Sequence, residues 1–208
     1  MRTSETFVIT INREFGTGGH EIGTKLAARL HVPMVDRQIL KAVAAKFNMT
    51  EKEVERLEDR RPSWWDDFTQ FYQSFMSMNE YTVNPRDITS RQLYASQELA
   101  MRKIAAGGSC VVVGRCGFHV FKHHPNALRV FLHSPLDYRL KRVEGQYHVD
   151  EAKARELISD NDYTRQVFTK TFTGKDWYDA RNYDITLNVA DHGVDGTVDV
   201  LMKLIEEA

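Results

Sequence analysis

The chain has 208 residues, 42% of them hydrophobic, enough for one sizeable core with a smaller insertion and too few for two large domains. Its 28 Lys+Arg and 29 Asp+Glu nearly cancel, so no general attraction to nucleic acid or to an anionic lipid surface is expected, and any polyanion site must be local. The two cysteines, Cys110 and Cys116, form neither a disulfide framework nor a four-ligand zinc site, and no apolar run approaches the roughly 20 residues that span a bilayer. With a polar start, Met1 to Thr6, leading straight into a strand, the reading is a reduced, cytoplasmic protein.

In chain order, nearly continuous apolar runs predict strands at 7–11, 33–35, 110–113, 128–132 and 184–189, the pattern of strands buried on both faces of a parallel sheet. Helices are predicted at 21–30, 37–47, 88–106, 135–143, 151–168 and 194–207. The alternation gives an α/β fold with helices on both faces of the sheet. Residues 37–88 carry no strand pattern and are expected to be a helical insertion. Within it, Thr50 and Glu53 form a capping box for a helix at 51–61 that Pro62 stops. The aromatic stripe Trp64, Trp65, Phe68, Phe71, Tyr72 and Phe75 follows. It reads as a surface for the insertion or for a second subunit, with base stacking as the alternative.

Three groups of residues could carry chemistry. The first strand runs into Arg13-Glu14-Phe15-Gly16-Thr17-Gly18-Gly19-His20 and then into an amphipathic helix. Glycines at 16, 18 and 19 free the backbone to point successive N–H groups at one anion, and the helix adds the positive end of its dipole. A tight turn alone is the alternative. The usual phosphate loop ends Gly-Lys-Ser/Thr, whereas Gly19-His20 stand in those positions. Arg13 is the candidate replacement cation, because a guanidinium can fork onto two phosphate oxygens; the alternative for Arg13 is a surface salt bridge with Glu14. His20 could bond a phosphate oxygen or simply begin the helix.

The second group, Val113-Gly114-Arg115-Cys116-Gly117, places Arg115 at the carboxyl end of a buried strand, where open α/β sheets bind ligands. The third comprises Arg139, Lys141 and Arg142, a short polar turn, and then Arg155, Asp160 and Arg165. Two basic helices joined in this way can close over phosphates as a lid.

In this order the motifs resemble the cytidylate kinase-like family of P-loop nucleoside monophosphate kinases. The resemblance rests on Ile11 to Gly19 with Ile22-Gly23, Pro33-Met34-Val35-Asp36, Val113-Gly114-Arg115, Leu128 to Leu132 with Pro135-Leu136, and Tyr183-Asp184, and it covers nearly the whole chain. It implies a three-layer sandwich around five parallel strands, an acceptor-binding insertion at about 37–95 and a lid at about 143–155. It also implies Mg2+-dependent transfer of the ATP γ-phosphoryl to CMP or dCMP. By position, Gly16, Thr17, Gly18, Gly19 and His20 would meet ATP phosphates, and Arg115 would hold the acceptor phosphate. Arg139, Arg142 and Arg165 would be lid or phosphate arginines, and Asp36 would orient the substrate or a magnesium-bound water. A small metabolite is the other acceptor class, and a nucleotide-binding regulatory protein with a degenerate loop is the competing function. Homodimerisation through the aromatic helix 64–75 is a further expectation.

Overall fold

The computed structural model describes residues 1–37, 39–40 and 90–207. All five expected strands form: β1 (Val8–Arg13), β2 (Met34–Val35), β3 (Cys110–Val113), β4 (Ala127–His133) and β5 (Ile185–Asn188). They make one parallel sheet in the order β2-β3-β1-β4-β5. β1 is central, pairing Ile11 with Val113 of β3 and Arg13 with Leu132 of β4. Whatever follows β1 therefore emerges between the carboxyl ends of two neighbours.

Six helices cover the sheet among the described residues: α1 (Gly19–Arg29), α2 (Ser90–Gly107), α3 (Gly117–Val120), α4 (Leu136–Tyr147), α5 (Glu151–Thr173) and α6 (Val189–Glu207). Side chains alternate between the two faces of a strand, which explains the split core. Ile9 and Ile11 pack with Ile22 and Leu26 of α1 and with Val198, Leu201 and Ile205 of α6. Val8, Cys110 and Val112 pack on the other face with Ala100, Met101 and Ile104 of α2. A third cluster, Phe118, Phe131, Trp177 and Tyr183 with Phe168, closes the α5 side.

Helix boundaries depart from expectation where local chemistry decides them. α1 begins two residues early because Gly18, at φ 82, turns the chain into the helix without any side-chain cap. α5 is capped by Asp150, whose carboxylate accepts from the Lys153 N–H at 2.8 Å, and it runs on to Gly174 at φ 68. The fifth strand stops at Asn188, and α6 starts at once, broken at Gly193 (φ 66, ψ −178). α4 and α5 are joined by residues 148–150 alone, so the expected lid consists of two helix ends and one short turn. The expected insertion falls almost wholly outside the described residues, as do the helix at 51–61 and the aromatic stripe at 64–75. No helix among the described residues is long and apolar enough to cross a membrane.

The site depends on close packing of α1 against β3. A Cβ added to Gly23 would stand 2.6 Å from Val113 Cγ2. Gly23→Ala is therefore expected to destabilise the protein by about 1 kcal/mol, overpacking outweighing the gain in helix propensity. In urea unfolding, Val113→Ala should cancel most of that cost when combined with it; additive losses would show that the contact is relaxed elsewhere.

Candidate active site

The glycine loop is an open set of backbone donors. Gly16 (φ 87) and Gly18 (φ 82) both take left-handed conformations, which a side chain would strain. Among the described residues, the N–H groups of Gly16, Gly18, Gly19, His20 and Glu21 meet no acceptor, and the helix has no side-chain cap. A helix start left unsatisfied in this way suits an anion. Thr17 plays another part: its side chain is fully buried and its hydroxyl donates to the Glu14 carbonyl at 2.8 Å, bracing the turn.

Arg13 crosses this loop. A Cβ built on Gly19 would lie 2.5 Å from Arg13 Cγ and 2.8 Å from its Cβ, and one on Gly114 would lie 2.5 Å from Nη1. The stem thus fills the space over Gly19, and the guanidinium reaches the Gly-Arg turn after β3. Counting the pattern Gly-x4-Gly-Lys back from Gly18 puts Arg13 in the position of the first glycine and Gly19 in that of the lysine. Each residue is the reason for the other. Glu14 pairs with Arg139, and no ion pair joins it to Arg13 among the described residues, so the surface-pair reading of Arg13 is set aside.

Beyond Arg13 lies a cavity of about 270 Å³ between the ends of β1 and β3 and helix α5. Four arginines line it: Arg13, Arg37, Arg115 and Arg165. Its described lining includes no carboxylate. Asn12, Thr164 and Thr169 supply neutral polar groups, and Phe168 and Trp177 supply aromatic walls. Burial, with repulsion from Arg165 and Arg115 added, pulls Arg13 down to about 9. Burial and Arg37 pull Arg115 down to about 10. Guanidiniums hold their protons very strongly, so this electrostatic stress is relieved by an incoming anion.

The remaining expected site residues divide. Arg142 leans over the loop, its Nη2 2.9 Å from where a Gly18 Cβ would be, and pairs with Glu21 at 3.2 Å. Arg139 turns away from the cavity. It is held by Asp162 at 2.6 Å and Glu14 at 3.5 Å, both mostly buried, and so ties the loop to α4 and α5. Asp162 also accepts from the Phe15 N–H at 2.7 Å and from Arg165 at 3.1 Å. Arg155 pairs with Glu151 on an exposed face, and Lys141 and Asp160 are exposed. Asp36 caps the segment after β2, accepting from the Ile39 N–H at 3.0 Å, and faces His20 at 3.8 Å. Sequence reasoning missed Asp162, Arg37 and the α5 stripe Asn161, Thr164, Phe168 and Thr169. The stripe's i, i+3, i+7, i+8 spacing was the available signal.

The loop donors and arginines fit the phosphates of ATP. For Mg2+ the fit is incomplete, since an imidazole stands where the hydroxyl ligand would be.

A glycine loop delivering the central strand of a 2-3-1-4-5 parallel sheet into a helix defines a P-loop fold of the kinase type. The model of the cytidylate kinase-like family matches residues 8–191; the chain belongs to that family. Among solved structures it is similar to an uncharacterized protein from Eubacterium ventriosum ATCC 27560, 25% identical, with 97% of this chain and 99% of that chain covered and a TM-score of 0.72. It is also similar in fold to shikimate kinase from Bacteroides thetaiotaomicron, at 16% identity, 97% and 99% coverage and a TM-score of 0.52. No curated protein shows a significant sequence match.

Breaking a buried ion pair by neutralising one partner leaves an uncompensated charge. Asp162→Asn is therefore expected to lower stability by about 3 kcal/mol in urea unfolding. Adding Arg139→Met should cost less than the sum of the two single changes; strict additivity would mean that the pair does not brace the loop.

Proposed function

We propose that the protein is an ATP-dependent kinase whose acceptor is a small phosphate-bearing molecule, a nucleoside monophosphate such as CMP or dCMP in keeping with its family. The observation that carries this reading is Arg13 laid across Gly19, a cation supplied from the opposite end of the loop to the missing lysine. ATP, when bound, supplies the transferable phosphoryl group. The open N–H groups of residues 16 and 18–21 receive its phosphate oxygens, and Arg142 flanks them. Arg115, Arg37 and Arg165 hold the acceptor's anionic group across the cavity, and Arg13, between the two sets, stabilises charge on the group in transit. Catalysis is positioning and electrostatics without a covalent intermediate. The four-arginine lining favours an acceptor that brings its own negative charge over a neutral one.

The competing reading, a nucleotide-binding regulator without turnover, draws support from His20 in the hydroxyl's position. A panel of nucleoside monophosphates and small phosphorylated metabolites, assayed for transfer from ATP beside calorimetry, separates the two. Product formation supports the kinase; nucleotide binding with no product from any acceptor supports the regulator; neither binding nor product overturns both.

Arg13→Ala should lower kcat/KM by about 10²–10³, equivalent to about 2.7–4 kcal/mol, with the fold retained. Near-normal kinetics in that variant would move the loop cation to the lid.

A further inference from the structure

The position after the loop lysine is ordinarily Ser or Thr, whose hydroxyl is a ligand of Mg2+. Here it is His20, with a side chain 63% exposed at the start of α1 and Nδ1 3.8 Å from Asp36 Oδ2. The separation is too long for a hydrogen bond. Two ligands of one ion at about 2.1 Å stand about 3.0 Å apart at an octahedral edge and about 3.4 Å apart in a tetrahedron, so the exposed imidazole must move about 0.4–0.8 Å toward Asp36, within reach of a side-chain rotation, to bring the pair to ligand spacing. The Ile39 N–H bond to Asp36 Oδ1 fixes the carboxylate at the carboxyl end of β2. Asp36 is also close enough to favour the charged form of Arg13, so the pair sits on the rim of the proposed phosphate site.

Mg2+ favours hard oxygen ligands in strict octahedra, whereas an imidazole strengthens binding along the first transition row. We propose that His20 Nδ1 and Asp36 Oδ2 hold the divalent ion accompanying the nucleotide, and that this pair makes the site select a first-row transition ion such as Mn2+ over Mg2+. The described residues contain no cluster of three or more His, Cys, Asp or Glu able to hold a metal. The other coordination positions accordingly fall to nucleotide phosphate oxygens and water, and the ion is held well only together with nucleotide. This inference rests on the kinase reading, since the nucleotide completes the site.

The test is Mn2+ and Mg2+ binding to the full chain with ADP, by calorimetry and by Mn2+ electron paramagnetic resonance, in wild type and His20→Ser. Because His20 is exposed, and Ser is well tolerated at a helix start, the variant is expected to fold. The ratio of Mn2+ to Mg2+ affinity should drop about tenfold in His20→Ser, and pulsed resonance of the Mn2+–ADP complex should show an imidazole nitrogen coupling that the variant lacks. ADP binding with an unchanged ratio and no nitrogen coupling would overturn this inference while leaving the kinase reading intact. Failure of ADP to bind with either ion would overturn both. Equally tight Mn2+ binding without ADP would also overturn it, because the ion would then have a protein-only site.

Discussion

The carboxylate of Asp162 is the point on which the site's geometry turns. It lies on α5, yet it accepts from the loop N–H of Phe15, from Arg139 of α4 and from Arg165 on its own helix. The glycine loop, far away in sequence, is thereby tied with α4 and α5 to one buried oxygen pair. Hydrogen bonds to a charged group contribute about 1.5–3 kcal/mol each, against a desolvation penalty of several kcal/mol. The net gain in stability is small. The gain in geometry is larger, because the glycine loop packs directly on α4: a Cβ on Gly16 would stand 3.0 Å from both the Cβ and the carbonyl oxygen of Arg139. The open loop donors are held against a wall that Asp162 keeps still.

The exchange between Arg13 and Gly19 follows the same logic of space. A lysine at 19 would need room that the Arg13 stem already occupies, and an arginine at 13 needs a neighbour without a side chain. A cation delivered from the end of β1 is anchored differently from one on the first turn of a helix. Its backbone is locked in the central strand by pairing with Leu132, and its guanidinium reaches Gly114, beside the arginine-lined cavity. The loop has thus kept its donor array and moved its charge toward the side where an acceptor would lie.

The sheet was legible because both-face burial leaves an unmistakable apolar run, and Val111-Val112-Val113 and Val130-Phe131-Leu132 carry nothing else. The loop was legible because three glycines in four positions leave few other readings. Charged residues on helices were less so. Arg139 and Arg142 lie three apart on α4, one turned inward to Asp162 and one outward over Gly18, and nothing in their spacing separates those fates. Asp162 was hidden in Ser159-Asp160-Asn161-Asp162, where the neighbouring Asp160 is exposed. Two of its three partners, Phe15 and Arg139, are more than 20 positions away, which local pattern cannot report. The stripe on α5 was visible as a periodicity, but its polar members made it look like a solvated face.

Charge in the cavity bears on what can move. Two guanidiniums 8 Å apart repel by about 2 kcal/mol at an effective dielectric constant of 20. Against four lining arginines the described residues set Asp162, bonded to Arg165, Asp36, which favours the charged form of Arg13, and ring contacts of Arg115 with Phe168 and Arg165 with Phe15. Such ring contacts contribute about 0.5–2 kcal/mol each, so among the described residues the positive charge of the lining exceeds what opposes it, an arrangement that an anion would relieve. Closure around that anion is restricted by the same anchors. Arg139 and Asp162 pin the facing stretches of α4 and α5 to the loop, and Tyr147, stacked on Phe15, and Val149, packed in the same cluster, hold the turn between the helices against it as well.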